Sequence, residues 1–157
     1  MSHFQPLYPG VVIDRAYAEY TTNADLTTVI PDDDTIPQST EGTQILSVSI
    51  TPKSTTNKVR IRVTAFGSNN TAVTAIIVAL FSGGSNAIRA TSAIVPGAAY
   101  REALVMEIEV TPGSTSAQTY TVRAGPGSNT MRLNGDSIGR KFGGVSAATI
   151  VAQEIVA

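Results

Sequence analysis

The feature that most constrains the fold of this chain is a strict alternation of apolar and polar residues in short segments. In KVRIRVTA (58–65), Val59, Ile61 and Val63 share one face and the residues between them are arginines. Successive side chains of a β-strand point to opposite faces, so a period of two predicts a half-buried strand. The same alternation recurs in ILSVSIT (45–51), LVMEIEVT (104–111) and TYTVRA (119–124).

Turn-forming residues separate these segments. Clusters of Gly, Pro, Asn and Ser occur at GSNN (67–70), TPGS (111–114) and GPGSN (125–129), among other places. Such clusters mark turns because each residue type favours a turn conformation. No stretch shows sustained helical periodicity with a cap at each end. Short strands at regular spacing predict an all-β fold, an antiparallel β-sandwich.

Composition excludes several classes of function. The chain has 157 residues, a formal net charge of -1 and no cysteine. Nucleic-acid binding needs a basic face and stacking aromatics, so this charge balance argues against it. The lack of cysteine removes disulfides and thiolate metal sites and favours synthesis in a reducing cytoplasm. No apolar run approaches the ~20 residues of a membrane span and no signal peptide is evident, so we expect no membrane insertion.

Two segments are apolar on both faces, TAVTAIIVALF (71–81) and VSAATIVAQEIVA (145–157). The outer face of a sandwich strand is normally polar, so an apolar outer face needs cover from the N-terminal residues, from loops or from another subunit. We favour a homo-oligomer over a monomer whose loops cover both strands. The expected subunit interface consists of Val73, Ala75, Ile77, Ala79, Ile150 and Ala152.

Three consecutive aspartates, Asp32, Asp33 and Asp34, occur in PDDDTIPQSTEG (31–42). Carboxylates bind calcium, but a dedicated calcium loop spaces its ligands at alternating positions around a glycine, and this run does not. The prolines block ladder pairing and aspartate favours turns, so a solvated loop is the favoured interpretation. A cation bound to the aspartates is the alternative. We expect no cofactor and no dedicated metal site.

Glu107 and Glu109 are a candidate acid pair, about 6.5–7 Å apart at Cα by strand rise. That spacing is loosely compatible with an inverting glycosidase pair. A working pair needs one buried carboxyl with a raised pKa, whereas both of these alternate outward. A cross-strand match with Lys58, Arg60 or Arg62 is the simpler interpretation. His3 is the single histidine, so neither a Ser-His-Asp relay nor a multi-histidine metal site is expected.

Two predicted loops carry the candidate ligand contacts. Tyr100 stands beside Arg101, and Arg140, Lys141 and Phe142 follow one another between glycines. Exposed aromatic rings stack on sugar rings, although most aromatic residues of this chain are expected in the core or in an interface. These five residues are therefore the candidate ligand-facing residues, with a glycan as the candidate ligand.

Residues 30–63 are similar to a known module. The linker DDTIPQSTEG (33–42) and the turn ITPKSTTNK (50–58) resemble the opening of the jelly-roll knob module of tailed-bacteriophage tail-fibre and head-fibre proteins. The similarity covers about residues 15–157 and continues through ALF (79–81), TPGSTSAQTYTVRA (111–124), MRLNG (131–135) and QEI (153–155). The resemblance implies a jelly-roll sandwich, a homotrimer and a virion structural part that contacts the host surface.

The chain departs from the long-fibre pattern because it has no shaft, no heptad repeat and no collagen-like repeat. We therefore expect a short N-terminal docking arm (1–14) and a single β-sandwich domain (15–157). In the arm, the apolar side chains expected to lie in a groove of a capsid or tail protein are Phe4, Leu7, Tyr8 and Val11.

Three functions follow from these patterns. The favoured one is a non-enzymatic bacteriophage virion protein, made in the host cytoplasm. It would be a homotrimeric spike, fibre or capsid-decoration component that binds other virion proteins and touches a host surface glycan. The alternative is a stand-alone lectin-like carbohydrate-binding module. The third is a polysaccharide-degrading enzyme, which would need an acid pair at a subunit interface, such as Glu107 with Glu102 or Asp136.

Overall fold

The computed structural model describes residues 8–71 and 73–157, and within them it contains strands and one short 3-10 turn but no α-helix. The predicted all-β class is confirmed. The strands are β1 (Val12–Tyr20), β2 (Ala24–Leu26), β3 (Thr43–Ile50), β4 (Lys58–Asn69), β5 (Thr74–Phe81), β6 (Arg89–Val95), β7 (Glu102–Val110), β8 (Gln118–Pro126), β9 (Met131–Leu133), β10 (Gly135–Asp136), β11 (Gly139–Arg140) and β12 (Ala148–Ile155), and the 3-10 turn is Phe142–Gly144.

The strands form two main antiparallel sheets. The first has the order β1-β12-β4; β4 then pairs with β7 along most of its length and with β9 at its end, and β9 pairs with β2. The second has the order β3-β8-β5-β6, and β10 and β11 form a separate hairpin. The long-range pairs are nested, β1 with β12, β3 with β8, β4 with β7 and β5 with β6. This nesting is the jelly-roll arrangement, so the predicted antiparallel sandwich is confirmed.

The hydrophobic core lies between the two sheets and follows the alternation in the sequence. Val59, Ile61 and Val63 of β4 are fully buried, and the residues between them face outward. The matching residues of β3 and β8 are buried as well, and those of β7 are buried in the first half of the strand and half-buried in the second. The predicted inward faces are confirmed. Burying one large aliphatic side chain contributes roughly 2 kcal/mol, so these rows supply the main driving force for the fold.

Strand β5 is buried on both faces, and its outer cover comes from the same chain. Ile76 and its inward neighbours join the core. On the other face, Ala75 and Ile77 pack against Ile30 in the linker, residues 27–42 between β2 and β3. A backbone bond from Ile30 N to the Pro126 oxygen, at 3.0 Å, fixes this linker over the sheet. A second bond, from Gly42 N to the Val29 oxygen at 3.2 Å, joins the two ends of the linker.

The expected subunit interface is corrected by this arrangement. Strand β12 is a central strand, paired with β1 on one side and β4 on the other, so its inward residues fill the core of a single chain. The linker covers the outer face of β5. Of the six residues assigned to the interface, Val73 alone is exposed, at 75%. The other five are buried within one chain: Ala75, Ile77, Ala79, Ile150 and Ala152.

The sandwich has two different ends. Val12 lies beside Ile155, so the start of β1 and the end of β12 lie at one end, together with the turn 51–57 and the loop 111–117; we call this the terminal end. Tyr20 lies beside Ala148 at the opposite end, the loop end, where the loops 96–101 and 127–147 emerge. The nine residues of β1 separate the two ends by roughly 30 Å at strand rise.

Candidate contact site at the loop end

Two loops form one surface at the loop end, residues 97–101 and 134–145, which we call the loop platform. Asn134 anchors it, since its side-chain amide donates to the Tyr20 oxygen at 2.8 Å and to the Thr22 oxygen at 3.1 Å. Its φ of 58° lies in the left-handed region, which asparagine tolerates better than most residues. Ser137 N donates to the Ala98 oxygen at 3.1 Å and joins the two loops.

The buried carboxylate of Asp136 links the platform internally. One oxygen accepts from Arg101 Nη1 at 2.9 Å, and the other accepts from Lys141 Nζ at 2.8 Å and from Ile138 N at 2.9 Å. Burial alone would raise the pKa of the Asp136 carboxyl, but the hydrogen bonds from Lys141 and Ile138 and the charges of Lys141 and Arg101 outweigh it, and the pKa is lowered. Asp136 is therefore an ionised connector at neutral pH.

The outer surface of the platform is apolar and strained. Phe142 is 71% exposed although its φ is 50°, a left-handed conformation that costs a bulky residue about 1–3 kcal/mol. Gly143 and Gly144 follow it with φ of 66° and 92°. Backbone strain that leaves an aromatic ring exposed to solvent is typical of a contact surface. The other large apolar residues exposed on the platform are Tyr100, Ile138 and Val145.

The structure brings the five candidate ligand-facing residues together, but they divide into two groups. The charges of Arg101 and Lys141 are engaged by Asp136, so these two side chains hold the platform in shape. Tyr100, Phe142 and Arg140 face solvent. Exposed rings beside a cation suit stacking on a polar ring and an ionic contact with an acidic substituent.

At the terminal end, the structure describes only part of the predicted arm. Tyr8 and Val11 are exposed, whereas Phe4 and Leu7 lie outside the described residues. Gly10 N donates to the Val156 oxygen at 2.8 Å, and Val156 N donates to the Val11 oxygen at 2.9 Å. Strand β1 begins at Val12, so the last residues of the predicted arm (1–14) belong to the sandwich.

Sequence reasoning missed a second buried carboxylate, Glu154, which is fully buried at the terminal end. Its Oε1 accepts from Lys53 N at 2.7 Å, Ser54 N at 3.3 Å and Asn57 Nδ2 at 2.7 Å. Glu154 therefore holds the turn 51–57 against β12. A signal was present, because Glu154 falls in phase with Ala152 and the other inward residues of β12.

The two outward glutamates of β7 form ordinary cross-strand pairs. The register places Arg60 opposite Glu109 and Arg62 opposite Glu107. Arg60 Nη2 lies 2.6 Å from Glu109 Oε1, and Arg60 Nε lies 3.7 Å from Glu107 Oε1. Both carboxylates are partly exposed, so neither has the burial that an acid catalyst requires. The cross-strand interpretation is confirmed.

The aspartate run lies in an exposed turn, as predicted. Asp33 accepts from both the hydroxyl and the backbone N–H of Thr35, the latter at 2.9 Å, and these bonds, the hydroxyl first, lower the pKa of the Asp33 carboxyl. Across residues 8–71 and 73–157, no group of three or more His, Cys, Asp or Glu side chains is placed to hold a metal ion. Over the same residues, the fold has no helix of the length and apolarity that a membrane span requires.

Comparisons with known proteins assign no family to the chain. No family model matches the chain, and no curated protein matches it. Among solved structures, the chain is similar to a chain in the cryo-EM atomic structure of Broad Bean Stain Virus, at 8% sequence identity and a TM-score of 0.31. The match covers 99% of this chain and 91% of that chain. The jelly-roll assignment rests on the strand order and not on this match.

Proposed function

We propose that the protein is a non-enzymatic structural component of a bacteriophage virion, a spike, fibre knob or capsid decoration that acts as a homotrimer. The observation that carries the proposal is the polarity of the sandwich. The start of β1 and the end of β12 lie at one end, and the strained apolar loop platform lies at the other, roughly 30 Å away. This arrangement suits a protein that is attached at one end and makes contact at the other.

Attachment is assigned to the terminal end. Tyr8 and Val11 present exposed apolar side chains next to the start of β1, where the predicted arm joins the sandwich. An extended segment with apolar anchors binds in a groove of a partner through a few side chains. The partner in this proposal is a capsid or tail protein, which places the chain in the virion after synthesis in the host cytoplasm.

Host contact is assigned to the loop platform. Tyr100 and Phe142 offer aromatic faces, and Arg140 offers a cation next to them. A single site of this kind binds a surface glycan weakly. Three copies on one particle raise the avidity without any new contact, because the second and third binding events become intramolecular.

The test separates the two ends. Deletion of residues 1–11, which leaves β1 intact, should abolish co-sedimentation of the purified protein with particles that lack it, while the circular dichroism spectrum stays that of a β-sandwich. A matched variant, Phe142→Ala, should co-sediment normally and lose binding to host cells. Normal co-sedimentation of the deleted protein would contradict the assignment of the arm.

A stand-alone lectin-like module is the second candidate, and the exposed rings of the platform favour it. Association with virus particles distinguishes this candidate from the first proposal. A lectin-like module binds glycans on an array with residues 1–11 deleted and never associates with particles, whereas the virion protein associates with them through its arm.

A further inference from the structure

The second sheet ends in a strand whose outer edge is free. Strand β6 pairs with β5, from Thr74 opposite Val95 to Leu80 opposite Arg89, and with no other strand of the described residues. Of its seven residues, Val95 alone is buried. The backbone N–H and C=O groups that point away from β5 are therefore open to a further strand.

The other three long edge strands are interrupted or charged. Strand β1 has a bulge between Val12 and Asp14. Strand β3 has a bulge between Gln44 and Leu46, and β7 contains three glutamates. Bulges and charges keep an edge from pairing with another chain. Strand β6 has a continuous register, and its single charged residue, Arg89, is its first, so it is the edge best suited to strand addition.

A groove lies between β6 and the linker. It consists of two adjoining hollows of about 350 and 180 Å³, and Ala90 of β6 and Pro37 of the linker line both. Ala90 and Ser92 have small side chains, which leaves the groove open along the strand. The linker wall is fixed, since Ala87 N donates to the Pro37 oxygen at 2.9 Å and Ile30 is buried against β5. A fixed wall loses little conformational entropy when a partner binds.

The linker side of the groove is acidic. Its three aspartates, Asp32, Asp33 and Asp34, are exposed and form no ion pair with a described residue. Hydrogen bonds from Thr35 lower the pKa of the Asp33 carboxyl, which therefore stays ionised at neutral pH. Arg89 is the cation that lines the groove, so three carboxylates and one guanidinium give it a net charge of -2. A groove of this charge favours a basic partner.

A second copy of the chain fits this edge poorly. Antiparallel pairing of β6 with the β6 of a second copy would place the twofold axis perpendicular to the sheet. The aspartates of both copies would then lie on the same face, beside the joined edges. Like charges on one face oppose association, so the charge pattern favours a partner of opposite charge.

We propose that β6 binds an extended basic segment of another protein, which adds as a further strand to the second sheet. Alternate side chains of such a segment point to the outer face, where lysine or arginine residues meet the carboxylates of Asp32, Asp33 and Asp34. The residues between them are apolar and continue the inner face, where Thr91 and Ala93 are half-buried. This contact is independent of the proposed trimer and of attachment through the arm.

The test uses a labelled synthetic peptide that alternates lysine with valine, and fluorescence anisotropy reads its binding to the full chain. It should bind saturably, and a peptide that alternates glutamate with valine should bind at least about tenfold more weakly. The lysine peptide with methylated backbone nitrogens keeps its charge but cannot form a strand ladder, so it should lose binding. Added salt should weaken binding of the lysine peptide.

Two lysines on the edge, Ser92→Lys with Ile94→Lys, should weaken binding at least about tenfold, because both positions are exposed beside the groove. The matched control is Gln44→Lys with Ser47→Lys, at exposed positions of β3 in the same sheet, which should leave binding unchanged. Circular dichroism checks that each variant is folded.

Three outcomes would overturn the inference. The first is no binding of the lysine peptide, and the second is equal binding of the methylated peptide, which would show attraction of charges without strand addition. The third is a dimer of the wild-type chain that the edge lysines dissociate, which would make a second copy the occupant. None of these outcomes touches the virion role, which co-sedimentation tests separately.

Discussion

At the scale of single residues, one charge holds together two loops that are distant along the chain. Asp136 connects Arg101 to Lys141, and the apolar residues of the platform lie around this connection. Glu154 plays the same role at the terminal end, where its carboxylate accepts hydrogen bonds from the turn 51–57. In a chain with few charged residues, both ends of the sandwich are thus shaped by a buried carboxylate.

The lowered pKa of Asp136 gives a pH-dependent prediction. A carboxyl whose pKa is lower in the folded state stabilises the protein above its unfolded pKa, about 3.9, and this stability is lost as pH falls through the folded value. Asp136→Asn should therefore lower the free energy of unfolding by about 2 kcal/mol at pH 7, because its hydrogen bonds are no longer to a charged group. The loss should shrink as pH falls below about 3.9, where the unfolded chain begins to bind the proton, and it should vanish below the lowered pKa of the folded carboxyl.

Urea denaturation at pH 7 and pH 3 measures this difference. The control is Asp34→Asn, whose exposed carboxylate forms no ion pair with a described residue, and which should change stability by less than about 0.5 kcal/mol. An equal loss for Asp136→Asn at both pH values would show that the side chain acts through its shape and not through its charge.

At the scale of elements, the linker 27–42 is the part whose role changes most between sequence and structure. It contains the charges that first suggest a metal site, yet its Ile30 covers the outer face of β5. Where the linker approaches β8 there is little space, since a Cβ on Gly125 would lie 2.4 Å from the Thr28 oxygen. The linker is therefore a structural cover whose exposed turn remains available for a partner.

Two isoleucines of the same linker test this role. Ile30 is 1% exposed and Ile36 is 57% exposed. Ile30→Ala should lower the free energy of unfolding by about 2–3 kcal/mol, because it opens a cavity against Ala75 and Ile77. Ile36→Ala should change it by less than about 0.5 kcal/mol. Thermal unfolding at pH 7 compares the two, and a similar small effect for both would contradict the covering role.

Local patterns in the sequence predicted most of the strands because each pattern is set by neighbouring residues. The alternation in 58–65 reports which face of β4 is buried, whatever lies opposite. Non-local partners leave no such pattern. The cover of Ile77 by Ile30, across 47 positions of sequence (77 − 30), was therefore assigned to another subunit, and the pairing of Arg101 with Asp136 went unseen. Aromatic and basic residues between glycines are a local signal, and this signal singled out two loops that the structure brings together through Asp136.

At the scale of the whole molecule, the jelly-roll order gives the chain its polarity. Because β1 pairs antiparallel with β12, the start of β1 lies beside the end of β12, and the connections before and after β7 fall at opposite ends. In the proposed function, one end attaches the protein and the other end makes contact. The proposed function depends on all of these features in a single folded unit.

The most direct test of the central claim is the protein composition of purified virus particles. Particles prepared by density gradient from an infected culture that encodes this chain should contain it at a fixed copy number divisible by three. Antibodies against the platform should label the particle surface in electron micrographs, because that end faces away from the attachment point. Particles free of the chain, in a culture that produces it abundantly, would contradict a virion role.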